Sequence, residues 1–346
     1  MSTHLERELR EQPEALRRLL ETQLPRAQQI AELLRQTDVR YILIASRGSS
    51  SNAARYAQYL LGRAHRVPVS FATPSLFTLY AQPPRLEGAL VVGISQSGES
   101  PDVVEVLAEA RRQGRPTVAL TNRPDSPLGA VADEVLPLEA GDEQSVAATK
   151  TYLNSLAAVA LLFCAATGDQ RAFMELERIP AIVDEQLGRS WKDVEAIDGL
   201  GKLTGGTVVS RGINYCTAFE VALKIRELSG LLFEAYSAAD LLHGPVAAIG
   251  EGWPVIAVAP TGPALAELRQ AVGEIARRGA RIVAVSDDPG LCESAAVALP
   301  LVPGVPEWLS PLVAVVPGQL AAMRLATLRG VDVDNPLGLQ KITLTR

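Results

Sequence analysis

The chain has 346 residues, of which 47% are hydrophobic and 21% are charged, a composition that is typical of a globular protein and excludes a disordered one. The formal net charge of −6 argues against a general nucleic-acid binder, and the length predicts about two domains. The longest uninterrupted apolar run, residues 156–166, is too short to cross a bilayer, and the charged N-terminus lacks a signal-peptide core. We therefore expect a cytoplasmic protein with no membrane partner.

Cysteine, histidine and lysine are all rare in this chain. The three cysteines (Cys164, Cys216 and Cys292) and three histidines show no spacing typical of a metal site, so we expect no metal and no other cofactor. Only five lysines occur, against 28 arginines. Because arginine keeps its proton in proteins whereas lysine can lose it, only a lysine can act as an amine nucleophile or a proton carrier. Each of the five lysines is therefore a candidate for a chemical role.

Short β-rich runs alternate with longer segments of helical periodicity. Residues 41–46, 89–95 and 116–121 are short, apolar and bounded by Gly, Ser or Pro, which indicates buried strands. Residues 51–61 and 101–113 between them have helical periodicity. This alternation predicts an α/β fold with a parallel sheet covered by helices on both faces, doubly wound in the manner of flavodoxin.

The pattern occurs twice along the chain. Ser46-Arg47-Gly48 and Ser210-Arg211-Gly212 are 164 residues apart, and Gly98 and Gly262, each after a later strand, have the same offset. Two anchors at one offset indicate a duplicated domain. The predicted organisation is a helical segment (1–30), domain 1 (31–167), a helical linker broken at Pro180 and Gly188 (168–197), domain 2 (198–330) and a tail (331–346). Residues 1–40 are expected to pack outside the first sheet.

Serines follow the predicted strand 89–95 in the sequence Ser95-Gln96-Ser97-Gly98-Glu99-Ser100-Pro101. Ser100 suits the N-cap of the next helix and Pro101 suits its first residue. Hydroxyls and backbone N–H groups at the positive end of a helix suit a phosphate monoester. A serine-rich capped turn is the alternative for this loop.

A second set of hydroxyls follows the first strand, in the predicted turn Gly48-Ser49-Ser50-Ser51. Because the carboxyl ends of neighbouring parallel strands lie at one edge of a sheet, two such loops together favour a phosphate site. The corresponding loop of the second copy, Ala259-Pro260-Thr261-Gly262, has fewer hydroxyls. We therefore expect one phosphate site per chain.

A helix predicted over residues 215–228 carries Glu220, Lys224 and Glu227. Spacings of four and three residues place all three on one face of that helix. Apolar residues border this charged stripe closely, which favours a cleft. The alternative is an exposed ladder of ion pairs on the protein surface.

Two further positions are candidates for chemistry. His243 follows in Leu242-His243-Gly244-Pro245, where a partly buried histidine without a catalytic role is the alternative. Lys341 is the only lysine within a hundred residues, and a solvated terminal charge is the alternative there. His4 and His65 are assigned no role.

These motifs, together with Ser145-Val146-Ala147-Ala148-Thr149-Lys150, resemble proteins with sugar isomerase (SIS) domains. The likeness is greatest to the tandem-SIS isomerase half of glucosamine-6-phosphate synthase and to stand-alone SIS-type glucosamine-6-phosphate deaminases. It covers nearly the whole chain, and the motifs occur in order. The synthase has a serine where this chain has Ala148, and in this respect the chain looks more like the deaminases.

The resemblance implies a function and a role for each site residue. It implies a homodimer that converts glucosamine 6-phosphate to fructose 6-phosphate and ammonia. Glu227 would move a proton between C1 and C2, Lys224 would orient it, and Glu220 would contact the sugar. His243, donated by the partner subunit, would open the ring, and Lys341 would lie at the carbonyl end of the open sugar. The implied phosphate ligands are Ser49, Ser50, Ser95, Gln96, Ser97 and Ser100, and Val146 and Ala147 would contact the sugar through their backbone.

Several alternatives remain on the same scaffold. They are a galactosamine-6-phosphate deaminase, a fructosamine-6-phosphate deglycase, a simple aldose–ketose isomerase and an ammonia-dependent synthase. The residues that precede the first strand are too few for a glutaminase domain, and residue 2 is Ser, so we expect that domain to be absent. A non-catalytic sugar-phosphate sensor would need a DNA-binding segment. Residues 1–40 carry seven arginines and seven acidic residues and have no evident helix-turn-helix.

Overall fold

The structure, a computed structural model, describes residues 2–336, 338 and 341, which divide into two compact units. Each unit contains one five-stranded sheet. The first unit comprises residues 11–144, 148–180 and 341. The second unit comprises residues 2–10, 145–147, 181–336 and 338.

Strands and helices alternate along the chain as the sequence predicts. The strands are β1 (Tyr41–Ser46), β2 (Val69–Phe71), β3 (Ala89–Ile94), β4 (Thr117–Thr121), β5 (Glu134–Pro137), β6 (Gly205–Ser210), β7 (Leu232–Ser237), β8 (Pro254–Val258), β9 (Arg281–Ser286) and β10 (Val297–Pro300). The helices are α1 (His4–Arg10), α2 (Gln12–Arg35), α3 (Gly48–His65), α4 (Pro74–Thr78), α5 (Pro101–Arg112), α6 (Pro127–Val131), α7 (Lys150–Thr167), α8 (Gln170–Glu177), α9 (Ile179–Asp193), α10 (Tyr215–Ser229), α11 (Ala238–Leu242), α12 (Leu265–Arg277), α13 (Pro289–Ser294) and α14 (Ser310–Leu328).

Both sheets are parallel and have the same strand order. The first sheet runs β2-β1-β3-β4-β5, and the second runs β7-β6-β8-β9-β10. In each unit this is the order 2-1-3-4-5 of a flavodoxin-like doubly wound sheet, which confirms the predicted fold class and the duplication. Ser46 at the end of β1 lies opposite Ile94 at the end of β3, so the loops that follow these strands begin at the same edge. Helices cover both faces of each sheet, so central strands such as β1 and β3 are buried and apolar on both sides.

The corresponding turns of the two copies share one backbone conformation. Arg47 and Arg211 are both extended, and the glycines that follow, Gly48 and Gly212, have φ of +52° and +63°. The second pair of anchors is less similar. Gly98 has φ of +66°, whereas Gly262 does not adopt a positive φ.

Two helices among the described residues are long and apolar enough to span a membrane by length and composition, namely α7 and residues 307–328, which include α14. Most of each is buried, 83% and 78% of the apolar window respectively. In the first unit α7 packs against α2 and α3, and in the second unit α14 packs against α10. This burial is that of a core helix, for which length and hydropathy are weak indications of a membrane span.

Two details of the predicted organisation are wrong. Gly188 does not interrupt the linker, because α9 continues through it. A single exposed helical glycine costs only about 1 kcal/mol relative to alanine, which the packing of the helix can offset. The N-terminal helices also do not all pack on the first sheet. The first unit includes α2, but α1 belongs to the second unit, where the Asp334 carboxylate accepts the N–H groups of His4 (2.8 Å) and Leu5 (3.1 Å).

Candidate functional site

The loop between β3 and α5 is held in shape by its own side chains. The Ser95 hydroxyl accepts the N–H of Gly98 at 3.1 Å, and the Ser97 hydroxyl accepts the N–H of Glu99 at 3.3 Å. Gly98 has a positive φ, and a Cβ there would collide with the hydroxyl of Ser126. Only glycine therefore satisfies both the backbone conformation and the close approach at this position.

Ser100 is the N-cap residue of α5 and Pro101 is its first residue, as the sequence predicts. The Ser100 side chain makes no capping hydrogen bond. Its hydroxyl is buried and has no hydrogen-bond partner among the described residues. A buried polar group without a partner is uncommon and costs about 1–3 kcal/mol, so this hydroxyl calls for an explanation beyond helix capping.

The serines after β1 lie in a helix and not in the predicted turn. Ser49 and Ser50 belong to the first turn of α3, where both are half-buried. The early N–H groups of a helix have no intrahelical acceptor, so a helical first turn presents more donors than a turn would. Arg47 donates from Nε to the buried Asp102 carboxylate of α5 at 3.0 Å. This contact joins the two serine loops at one edge of the first sheet.

A polar cleft of about 360 Å³ opens at this edge of the first unit. It brings Gln96 and Ser97 of the loop between β3 and α5 together with Lys341, which is far from them in the sequence. The remaining lining residues are Glu99, Arg123, Asp125, Ser126 and Glu143. Arg123, which follows β4, is a cation that the sequence analysis missed. Only its position in the loop after a strand could have identified it.

Lys341 is not a solvated terminal charge. Its ammonium donates to Oε2 of Glu143 at 3.1 Å, and the Glu143 side chain is fully buried. Glu143 was not predicted as a site residue. It lies two residues before the segment 145–150, and no spacing or periodicity in the sequence distinguishes it from other acidic residues.

The charged stripe of α10 is largely buried, which excludes the alternative of an exposed ion-pair ladder on the protein surface. Glu220 and Lys224 are 0% and 1% exposed, whereas the side chain of Glu227 keeps 25% of its surface exposed. The Lys224 ammonium contacts the Glu227 carboxylate and lies 3.6 Å from that of Glu220. On the opposite side, α10 packs closely on α14 at Gly318, where a Cβ would collide with Val221.

The other predicted site residues of the second unit differ in exposure. His243 follows α11 and is exposed, and its backbone N–H donates to the carbonyl of Asp240 at 3.2 Å. Ala147 is buried and Val146 is half-buried. The preceding residue, Ser145, donates its N–H to the buried Glu8 carboxylate of α1 at 3.2 Å.

The predicted site residues therefore form two groups. Those of the first unit are Ser49, Ser50, Ser95, Gln96, Ser97, Ser100 and Lys341. Those of the second unit are Val146, Ala147, Glu220, Lys224, Glu227 and His243.

Within residues 2–336, 338 and 341, the thiols and possible metal ligands provide neither a metal site nor an activated thiol. No group of three His, Cys, Asp or Glu side chains there is arranged to hold a metal ion. Burial raises the pKa of the Cys164 thiol to about 12, and burial also raises the pKa of Cys292. Neither thiol has the lowered pKa of a nucleophilic cysteine.

The model of one protein family, described as SIS domain, matches residues 33–165 and 207–329. The chain belongs to the SIS domain family. This SIS chain is 35% identical over 340 residues to glutamine–fructose-6-phosphate aminotransferase (isomerizing) of Pyrococcus horikoshii; the match covers 97% of the chain and 56% of that relative. The chain thus spans little more than half the length of the curated relatives that it matches.

Solved structures agree with the SIS assignment over nearly the whole chain. A protein of Silicibacter pomeroyi assigned as a phosphosugar isomerase is 32% identical with a TM-score of 0.87, and the match covers 96% of this chain and 100% of that one. The C-terminal domain of glucosamine-fructose-6-phosphate aminotransferase from Francisella tularensis is 28% identical with a TM-score of 0.88, with coverage of 97% and 99%. The chain is therefore an SIS protein related to sugar-phosphate isomerases and to the isomerising aminotransferases. These relationships support the prediction that it is an enzyme.

Proposed function

We propose that the chain is an amino-sugar phosphate deaminase and isomerase, which converts glucosamine 6-phosphate and water to fructose 6-phosphate and ammonia. The sugar ring opens first, by proton transfer between O1 and O5. A base then takes the C2 proton and returns it to C1, which turns the open-chain aldehyde through an enolamine into an imine at C2. Water hydrolyses the imine, and its nitrogen leaves as ammonia. These steps require no metal or organic cofactor.

The observation that carries the proposal is the pairing of Glu227 with Lys224 on α10. A carboxylate suits a proton transfer between neighbouring carbons, because it can take the proton from one carbon and return it to the other on the same face. The buried Lys224 ammonium holds this carboxylate in one orientation, and the buried carboxylate of Glu220 lies 3.6 Å from the same ammonium. Of the two carboxylates, only Glu227 is exposed enough to meet a substrate, so we assign it as the base.

The features of the first unit favour a substrate that carries a phosphate group. Its two serine loops provide hydroxyls and helix N-termini at one edge of the sheet, where open parallel sheets bind ligands. A bound phosphate would also supply an acceptor for the buried hydroxyl of Ser100, which has no partner among the described residues. We assign the phosphate to Ser49, Ser50, Ser95, Gln96, Ser97 and Ser100. Lys341, in the same cleft as Gln96 and Ser97, is assigned to the carbonyl end of the open sugar.

The remaining roles follow the family resemblance. We assign ring opening to His243, donated across a homodimer interface, and its exposure is compatible with a role in a neighbouring subunit. Val146 and Ala147 are assigned to backbone contacts with the sugar. A cytoplasmic location is part of the proposal.

Ammonia-dependent synthesis of glucosamine 6-phosphate is the same chemistry in reverse and uses the same residues. Galactosamine 6-phosphate and fructosamine 6-phosphates are alternative substrates for the same base and phosphate loop. A non-catalytic sensor needs no partly exposed carboxylate beside a buried ammonium, so the Lys224–Glu227 pair favours an enzyme.

The test is ammonia release by the purified chain with glucosamine 6-phosphate, galactosamine 6-phosphate and a fructosamine 6-phosphate in parallel. We expect rapid release from glucosamine 6-phosphate with an equal amount of fructose 6-phosphate. Release from only one of the other two substrates would replace the proposed specificity. No release from any of the three, with sugar-phosphate binding intact, would overturn the proposed reaction in favour of a sensor or of a different substrate.

A further inference from the structure

The fully buried carboxylate of Glu143 accepts hydrogen bonds from four donors. Oε1 accepts the N–H of Thr149 at 2.9 Å and that of Thr151 at 3.1 Å. Oε2 accepts the hydroxyl of Thr151 at 2.6 Å and the ammonium of Lys341 at 3.1 Å. Because all four partners are donors, the carboxylate acts only as an acceptor, as an ionised carboxylate does.

This arrangement ties Lys341 to the N-terminus of α7. Thr149 is the N-cap residue of that helix, and its own side chain makes no capping hydrogen bond, so Glu143 takes over the cap. A carboxylate at this end is also stabilised by the helix dipole. A second tether holds the neighbouring backbone, since the buried Lys150 donates from Nζ to the carbonyl of Asp142 at 2.6 Å.

Lys341 also lies in the cleft that contains Gln96 and Ser97 of the phosphate loop, and Glu143 lines the same cleft. The lysine side chain is long and 26% exposed, so without a partner it would sample many rotamers. Three hydrogen bonds from Thr149 and Thr151 fix the position of Glu143, and Glu143 in turn restricts where the ammonium of Lys341 can be. The chain separation of 198 residues means that only the folded structure brings the two together.

We propose that Glu143 is a positioning residue, which holds the amine of Lys341 beside the phosphate loop for the carbonyl end of the open sugar. The role of Lys341 in this inference rests on the proposed function. The contact between the two side chains does not depend on it. Glu143 acts through Lys341 and is therefore not itself a catalytic residue.

The first test measures how fast Lys341 reacts with acetic anhydride, by peptide mass spectrometry, in the unmodified sequence and in Glu143→Gln. The exposed residues Lys192 and Lys202 are internal references in the same sample. Loss of the charge-assisted hydrogen bond frees the amine, so we expect Lys341 labelling to rise about tenfold or more relative to the references. Thr151→Val is the matched control, because it removes a hydrogen bond of Glu143 at 2.6 Å but leaves the ion pair. We expect it to lower stability without changing the relative labelling.

The second test uses the deaminase assay. We expect Glu143→Gln to lower kcat about 10- to 100-fold with the KM for the sugar phosphate within about twofold, and Lys341→Met to add little on top of it, because the two residues act as a unit. Unchanged labelling of Lys341 in Glu143→Gln, or fully additive effects in the double variant, would overturn the positioning role. Failure of the proposed function would be seen differently: the unmodified sequence would release no ammonia, irrespective of the result of the Lys341 labelling. If Glu143→Gln does not fold, Lys341→Met must show the same loss of kcat at unchanged KM, and full activity of that variant would contradict the inference.

Discussion

The Lys224 ammonium, buried on α10, contacts the carboxylate of Glu227, which lies three residues further along the helix and keeps a quarter of its side-chain surface exposed. A buried cation beside a partly exposed carboxylate fixes the orientation of the carboxylate while leaving it accessible. This arrangement suits a general base more than it suits a structural ion pair.

Glu227→Gln should therefore abolish most of the proposed proton transfer. General base catalysis contributes about 10²- to 10⁴-fold, so we expect kcat to fall by about that factor while phosphate binding persists. Steady-state ammonia release, with binding measured by calorimetry, checks this expectation. The control is Glu185→Gln, which removes an exposed ion pair with Arg189 and should leave kcat unchanged. A rate for Glu227→Gln equal to that of the unmodified sequence would remove Glu227 from the mechanism.

Lys224→Met should be strongly destabilising. The substitution removes the ammonium that lies 3.6 Å from the fully buried carboxylate of Glu220, and breaking a buried ion pair in this way costs about 3–5 kcal/mol of unfolding free energy. Urea unfolding of this variant and of the double variant Lys224→Met/Glu220→Gln measures the effect. We expect the second substitution to restore part of the loss. A double variant that is less stable than Lys224→Met would contradict this account of the charges.

Gly98→Ala should damage the loop between β3 and α5, which is the proposed phosphate site. Its positive φ costs an alanine about 1–2 kcal/mol, and the added Cβ would displace Ser126, so we expect lower stability and a higher KM for the sugar phosphate. Thermal unfolding and steady-state kinetics measure both changes. Gly188→Ala is the matched control, because Gly188 lies inside α9 with open space where its Cβ would be. That control should gain up to about 1 kcal/mol in stability. An unaltered KM in Gly98→Ala would argue against this loop as the phosphate site.

His65 should make the stability depend on pH. Burial lowers its pKa from the ordinary value of 6.5, so the folded state binds a proton less readily than the unfolded state. The free energy of unfolding is then largest above pH 6.5 and decreases as the pH falls below it, where the unfolded state takes up the proton first. Urea unfolding at pH 5, 6 and 7 should show a shallower decrease in His65→Gln. Identical slopes for the two proteins would show that other groups cause the decrease.

The proposed donation of His243 across a dimer can be tested by mixing two inactive variants. If His243 acts in the partner's site, a mixed dimer of Glu227→Gln and His243→Asn has one site with both residues intact. Random reassembly of equal amounts should then restore about a quarter of the full activity. The same mixture stays inactive if His243 serves its own subunit. Light scattering should show a dimer before and after mixing.

Local patterns in the sequence predict much of this molecule. The alternation of apolar runs with helical periodicity is confirmed by two parallel sheets of the same order, and Ser100 and Pro101 begin α5 as expected. These features are predictable because they depend on neighbours in the chain: an apolar strand, a capping residue, a proline that suits a first turn. The spacing of Glu220, Lys224 and Glu227 likewise places them on one helix face before any fold is known.

Only the tertiary structure decided which of these charges are buried. The same spacing predicts an exposed ladder equally well, and it is the packing of α10 within the second unit that excludes water from Glu220 and Lys224. The tertiary structure also decides which residues pair with α1 and with Lys341. Asp334 is 330 residues from His4 of α1, and Glu143 is 198 residues from Lys341. No local propensity encodes a contact between such distant segments. Periodicity along the chain determines the elements, whereas burial and long-range pairing depend on how the elements pack.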